Sequence, residues 1–242
     1  MISGVAVVVP ACNEEARIGE CLLSVRRAVQ RVREQGRRTL LVVVADACTD
    51  ATERCAIATA PEAEVVRVDF HCVGAARAMG AAHALAELAA IPAEQIWVAS
   101  TDADGTVPDD WIDRQLRHAA RGADAVAGLV EVDDWSDRAP EVRRHYAAYL
   151  HAAGAGPGHP HVHGANLGFT AGAYQRSGGW RPLASGEDVA LWRALLASGV
   201  HCHRARDVVV RTSGRRDSRV SAGFGSFLDR LPGGEPGLPT LS

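Results

Sequence analysis

The sequence predicts an α/β domain on a mostly parallel sheet flanked by helices, and three observations predict it. Short runs rich in Val, Leu and Ile alternate with helical stretches through the first hundred residues. The runs are continuously apolar, as in strands covered on both faces. Several end in a polar or acidic tip, and in parallel sheets ligands bind beyond the carboxyl ends of strands.

The elements follow in order. Gly4–Val9 reads as a buried strand and Glu14–Gln35 as a helix, with Glu14 and Glu15 in its first turn, where the helix dipole favours acids. Thr39–Ala45 is a second strand, and Asp50 to Ala60 a helix with Thr49 and Asp50 at its cap. Glu64–Val68, the Ala-rich helix Gly74–Ala90 and the strand Gln95–Ser100 complete the first half. Beyond Asp104, Pro108–Arg121 is amphipathic and Asp124–Val132 reads as a strand. A helix at Pro140–Leu150 precedes a Gly/His/Pro-rich loop, Gly154–Gly164. Asn166–Thr170 and Val208–Arg211 read as strands, with a helix at Glu187–Ser198 between them. One domain over 1–220 is expected, dividing near residue 105, with a flexible tail over 221–242.

Composition narrows the chemistry. A net charge of −3 excludes a global basic field for nucleic acid. All 26 Lys-or-Arg positions are Arg, which removes Schiff-base, Walker-A and pyridoxal-lysine chemistry. Six cysteines without a CxxC pair read as free thiols in a reducing cytosol. No run reaches the roughly 18 apolar residues of a membrane span, and Met1–Pro10 lacks a basic leader, so the expectation is a cytoplasmic protein without an integral membrane anchor.

Asp102-Ala103-Asp104 carries the most chemistry. Two carboxylates after an apolar strand suit a hard cation, Mg²⁺ or Mn²⁺, whose other ligands are phosphate and water. Alone the triplet is weak, since such pairs also arise by chance on surfaces. Taken with VVVPACNEE (7–15), VADACTDAT (44–52), GAARAMG (74–80), STDADGTVP (100–108), GANLGF (164–169) and SGEDVAL (185–191), the chain resembles the family 2 glycosyltransferases, inverting enzymes of the Rossmann-like GT-A fold. The matches run in order over about residues 5–215.

That resemblance implies a nucleotide-binding half, 1–105, and an acceptor and catalytic half, 106–220. Pro10, Ala11, Asn13 and Glu14 would cup the nucleotide, Asp46 would meet the base edge and Arg77 the phosphates. Asp102 and Ala103 would line the donor, with Asp102 and Asp104 on the metal. Asp188 would be the catalytic base, while Glu187, Asn166 and Trp180 would bind the acceptor. The chain has Ala45 where the family has a first acid, and Ala78 where it has Asn. The donor would be a UDP- or GDP-sugar and the acceptor small or soluble; a homodimer is left open.

Other readings stay beside these. Asp46 and Asp188 could simply cap helices, and Trp180 could be plain core. His159, His161 and His163 share one face of an extended segment and suit either a zinc site or a mobile acceptor loop. His201 and His203 could flank the site, and Arg215 and Arg216 could clamp a diphosphate. A binding protein without turnover is the main alternative function. A nucleotidyltransferase is weaker, because the first loop lacks Gly, Arg and Lys.

Overall fold

The protein is described by a computed structural model that covers residues 1–152, 158–214 and 224–232. Its strands are β1 (Gly4–Ala11), β2 (Arg38–Asp46), β3 (Glu64–Val68), β4 (Ile96–Ser100), β5 (Gly105–Thr106), β6 (Ala125–Asp134), β7 (Leu167–Thr170) and β8 (Cys202–Ser213). They form one sheet in the order β3-β2-β1-β4-β7-β6-β8-β5. β1, β2, β3 and β4 run parallel. β7 runs against both β4 and β6, and β5 against β8, so the second half is mixed.

The two-residue period of a strand divides the core. On β1, Val5, Val7, Val9 and Ala11 join one apolar cluster while Ala6 and Val8 join the other. The first face receives α1 (Ile18–Glu34), α2 (Thr52–Thr59) and α4 (Trp111–Ala120). The second receives α3 (Val73–Glu87), α6 (Ala171–Arg176) and α7 (Glu187–Ala197). β1 is buried along its whole length, which is why its sequence is a continuous apolar run.

Three expectations need correction. α1 begins at Ile18, not Glu14. The chain turns first, with Asn13 at φ 52°, and the Glu14 carbonyl accepts from the Arg17 and Ile18 N–H groups. The expected tail contains α8 (Phe224–Asp229), whose Leu228 is fully buried beside Val142 and Tyr146 of α5 (Pro140–Ala152). Buried Arg138 holds this corner together: it pairs with Asp229 and donates to the Gly214 and Gly225 carbonyls. Residues 215–223 and 233–242, and with them the expectation for Arg215 and Arg216, lie outside the described residues. The expected mobile loop is, over 158–163, a packed segment with His159 and His161 buried; residues 153–157 are likewise outside the described residues.

Candidate active site

The carboxyl ends of β1, β2 and β3 meet in three loops that are laced together. Asn13 Oδ1 accepts from the Thr49 and Asp50 N–H groups at 2.7 and 3.3 Å. Glu14 N–H donates to Thr52 Oγ1 at 2.6 Å, and Ala51 N–H to Glu15 Oε2 at 2.8 Å. Asp50 Oδ1 accepts from Thr52 N–H at 2.9 Å; α2 begins at Thr52 with Ala51 as its cap residue, so Asp50 sits one position outside the cap expected of it. Each loop also carries one non-glycine residue in the left-handed region: Asn13, Ala47 and His71, at φ 52°, 52° and 50°. These are the non-glycine residues of positive φ among the described residues, and such backbone costs of order 1 kcal/mol each. All three lie at the carboxyl-end edge of the parallel strands, where ligands of such sheets bind.

Asp46 belongs to this lacing. Its Oδ1 accepts from the Phe70 and His71 N–H groups at 2.7 and 2.9 Å, and its Oδ2 from Cys72 N–H at 2.9 Å. The carboxylate thus shapes the third loop. Pro10 and Ala11 are buried in β1, aligned with Val44 and Ala45, and offer backbone alone. Cys48 Sγ donates to the Ala11 carbonyl at 3.4 Å.

Arg77, one turn into α3, is the hub of the site. It is 3% exposed and pairs with both Asp102 and Glu187, joining the β4 tip to the start of α7. Its guanidinium lies 5.2 Å from the Trp180 ring centroid, within cation–π range. Gly164 closes the other side: a Cβ there would lie 2.5 Å from Arg77 Cζ, so any side chain would push the guanidinium off its two carboxylate partners. The Gly164 N–H donates to Asp188 Oδ2 at 2.9 Å, and Val189 N–H to Asp188 Oδ1 at 2.7 Å. Gly186 caps α7 at φ 72°, a conformation only glycine adopts without penalty, and so aims Glu187 and Asp188 from a helix N-terminus.

Burial around the Asp102–Asp104 segment alternates. Thr101, Ala103 and Gly105 point inward, and Asp102 and Asp104 reach the half-buried side together. The segment is a turn, closed by Gly105 N–H donating to the Asp102 carbonyl at 3.4 Å. Its two half-buried carboxylates are hard oxygen donors that suit Mg²⁺ or Mn²⁺ completed by phosphate and water, with Asp102 also paired to Arg77. Their negative field reaches inward too. Burial first, then Asp104, Asp102 and Glu14, push the Cys21 thiol far above the usual thiol range.

Burial also pushes the Glu187 carboxyl up, with Asp188 and Asp102 adding to it and Arg77 opposing. The arginine stays charged, held by its carboxylate partners against the burial penalty.

Gly164, in the Gly-Ala-Asn stretch singled out from the sequence, stands directly against the Arg77 guanidinium. His163, one of the three histidines named from the sequence, feels Asp188 and Asp102, while burial holds it below the ordinary imidazole range.

Two acceptor-side expectations change. Asn166 is fully buried and all its polar groups are engaged. Its Oδ1 accepts from Trp111 Nε1 at 2.9 Å, and its Nδ2 donates to the Leu129 and Val208 carbonyls at 2.8 and 3.0 Å. It is a bracket between α4, β6 and β8, sealed from any acceptor. Asn166→Ala is therefore expected to cost about 2–4 kcal/mol by stranding buried donors and acceptors. Urea unfolding checks this; a stability unchanged from the parent would return Asn166 to the acceptor side. Trp180, 5% exposed, stands behind Arg77 and packs edge-on to Phe169 at 6.1 Å, so it supports the arginine and not an open ring platform.

The histidines do not converge. The rings of His159, His161 and His163 stack in file, with centroids 5.7 and 6.2 Å apart, and their donor atoms form no three-ligand cluster. His203 stacks on His118 at 4.5 Å. It aligns with Val126, six β6 positions before Val132, which aligns with Thr212, the partner of Gly105. That is about 20 Å along the strand from the Asp104 end. His201 Nδ1–H donates to the Gly122 carbonyl at 2.8 Å and is equally remote from the site.

Burial holds His159 below the ordinary imidazole range and lowers His161 to about 4. The unfolded chain then binds protons that the native state refuses between pH 6.5 and about 4, so stability falls as pH falls through that window. His161 alone accounts for about 3 kcal/mol at the acid end. Urea midpoints at pH 7 and pH 4.5 check this, and His161→Leu should flatten the difference.

With this geometry in view, the comparisons decide the family. The family model described as "Glycosyl transferase family 2" matches residues 6–178. The chain belongs to that family.

This family 2 chain also has the fold of solved glycosyltransferases. It superposes on TarS of S. aureus with TM-score 0.64 at 12% identity, covering 95% of this chain and 68% of that one. A mannosyltransferase from Pyrobaculum calidifontis, solved with GDP-Man and Mn²⁺, gives 0.62 at 22% identity, with 89% and 58% covered. The glucosyl-3-phosphoglycerate synthase of M. tuberculosis, with Mg²⁺ and UDP, gives 0.57 at 20%, with 88% and 72% covered. The family 2 chain thus spans about three fifths to three quarters of these chains. No curated protein matches it in sequence. Among the described residues, no helix is long and apolar enough to cross a membrane.

Proposed function

We propose that the protein is a metal-dependent inverting glycosyltransferase, moving a sugar from a nucleoside-diphosphate sugar to an acceptor hydroxyl or amine. One observation carries the reading: Arg77 ties a carboxylate of the Asp102-Ala-Asp104 segment to the Glu187-Asp188 pair. Donor-side and acceptor-side groups, 25 and 110 residues from Arg77 in sequence, thereby share one site. The donor chemistry is supported by the UDP and GDP-Man complexes of relatives with the same fold.

In this mechanism the laced loops receive the nucleotide and Arg77 lies beside its phosphates. Asp102 and Asp104 would hold Mg²⁺ or Mn²⁺, which when bound neutralises charge gathering on the departing diphosphate. Two N–H donors and a helix N-terminus stabilise the negative charge of Asp188. Asp188 takes the proton of the acceptor hydroxyl as its oxygen bonds to the anomeric carbon. The bond from that carbon to the diphosphate oxygen breaks on the opposite face, and its electron pair leaves with the diphosphate. Configuration therefore inverts.

The test is thermal unfolding with UDP, GDP and TDP, with and without Mn²⁺. A ligand that binds only the native state at about 100 times its Kd adds about 2.7 kcal/mol, several degrees for a chain of this size. One nucleotide should raise Tm in a Mn²⁺-dependent way, and Asp104→Ala should remove the metal dependence. No shift with any nucleotide in Mn²⁺ would count against a donor site. Binding without transfer to any acceptor would favour the non-catalytic alternative.

A further inference from the structure

Away from the strand tips, Glu64, His83 and Glu87 bring their ligating atoms within 4.8 Å of one another, the convergent three-ligand group among the described residues. Glu64 opens β3, aligned with Val42, four positions before the Val68–Asp46 pair that ends the ladder. His83 and Glu87 stand four apart on α3, so their side chains share one helix face. Four strand positions span about 13 Å and the ten helix positions from Val73 to His83 about 15 Å. The cluster therefore lies well away from the Asp46–Cys72 loops and from the Asp102–Asp104 segment.

We propose that Glu64, His83 and Glu87 form a second cation site, for a divalent transition metal of the Zn²⁺ class. The donor set decides the class. One imidazole nitrogen with two carboxylate oxygens, and a fourth position for water, is a common zinc environment. Imidazole suits Zn²⁺, Co²⁺ and Ni²⁺, whereas the oxygen-only pair at Asp102 and Asp104 suits Mg²⁺ and Mn²⁺. The two sites would therefore sort metals by ligand chemistry.

The geometry is close to what closure requires. A tetrahedron with metal–ligand bonds of about 2.1 Å has edges of about 3.4 Å, so the wider-spaced donors need to draw together by little more than 1 Å while the touching His83–Glu64 pair opens to admit the ion. The side chains have that freedom: His83 and Glu64 are 31% and 40% exposed, and Glu87 is exposed. Main-chain position is fixed by β3 pairing and by α3. His83 Nε2 already meets Glu64 Oε2, so two of the three donors face each other before any cation binds. Arg38 reaches the Glu87 main-chain carbonyl at 3.0 Å and leaves its carboxylate oxygens to the cluster. A cation here would clamp β3 to α3, the helix that carries Arg77.

Zn²⁺ titration of chelator-treated full-length protein tests this, by calorimetry and by thermal unfolding, with Co²⁺ absorption reporting nitrogen–oxygen coordination. One equivalent of Zn²⁺ should bind and raise Tm, while Mg²⁺ at the same concentration should not. His83→Ala and Glu87→Gln should each weaken Zn²⁺ binding by about tenfold or more, and Asp104→Ala should leave it unchanged. Both positions are partly or fully solvent-exposed, and circular dichroism verifies that the variants are folded. The proposal is overturned by no Zn²⁺ binding to the parent, by binding retained in His83→Ala, or by binding lost in Asp104→Ala. This outcome is independent of the nucleotide experiment, so either reading can fail alone.

Discussion

Asp188→Asn lowers kcat for sugar transfer by about 10²- to 10⁴-fold while leaving nucleotide binding intact. Asparagine keeps the shape and can still accept from Gly164 N–H, which donates to Asp188 Oδ2 in the parent; the Val189 N–H that loses its acceptor is exposed and turns to water, so the fold is expected to hold. It cannot take a proton from an acceptor hydroxyl, and that single lost step sets the size of the effect. Steady-state rates with saturating donor, beside nucleotide affinity by calorimetry, separate the two quantities. A loss below tenfold would remove Asp188 from the base role and return it to helix capping alone. Glu187→Gln makes the contrast, because Glu187 pairs with Arg77 and its loss should register in stability as well as in rate.

The second large effect is on the fold. Arg77→Met leaves Glu187, 5% exposed, as a buried carboxylate without its counter-charge. Breaking a buried pair in this way costs about 3–5 kcal/mol. Asp102 adds little, because its side chain is 37% exposed and water screens it. The pH dependence has a definite sign. Burial already raises the Glu187 carboxyl and Arg77 opposes that rise, so removing Arg77 raises it further. A carboxyl with a raised native pKa holds protons that the unfolded chain releases, so the variant loses most stability at high pH and least near pH 5. Urea unfolding at pH 5 and pH 8 measures this, and Arg77→Met with Glu187→Gln should recover part of the loss. A penalty independent of both pH and Glu187 would mean that Arg77 acts by packing on Trp180.

The fold was largely legible because each half-sheet strand carries its own signal. Val5–Val9 and Leu41–Val44 are apolar on both faces, and α4 shows its stripe in Trp111, Ile112, Gln115 and Leu116. What escaped is structure made by distant partners. β5 is two residues long and exists because Gly105 and Thr106 meet Thr212 and Arg211. α8 is six residues, too short for a periodic signal, and stands on contacts with α5. The start of α1 was misplaced because Glu14 and Glu15 suit a first turn, while Thr52 and the Asp50–Ala51 segment hold their backbone and side-chain groups outside it.

The site was legible in its residue types and less so in their division of labour. Asp102, Arg77, Glu187 and Asp188 do assemble. Asn166 drew an acceptor role from the resemblance of its Gly-Ala-Asn motif, and the Trp111, Leu129 and Val208 partners that make it a bracket are distant in sequence. Asp46 likewise drew its base-edge reading from the resemblance, and its three loop N–H donors become visible only in three dimensions.

Those three donors, with the Asn13 and Glu15 links, bear on the thermodynamics of substrate capture. Fixing the backbone of a residue costs about 1–2 kcal/mol of conformational entropy. Here the loops beyond β1, β2 and β3 are ordered by one another as the chain folds, so that cost is met before any nucleotide arrives. Their rim is preorganised, and a ligand entering it keeps more of its interaction energy as affinity.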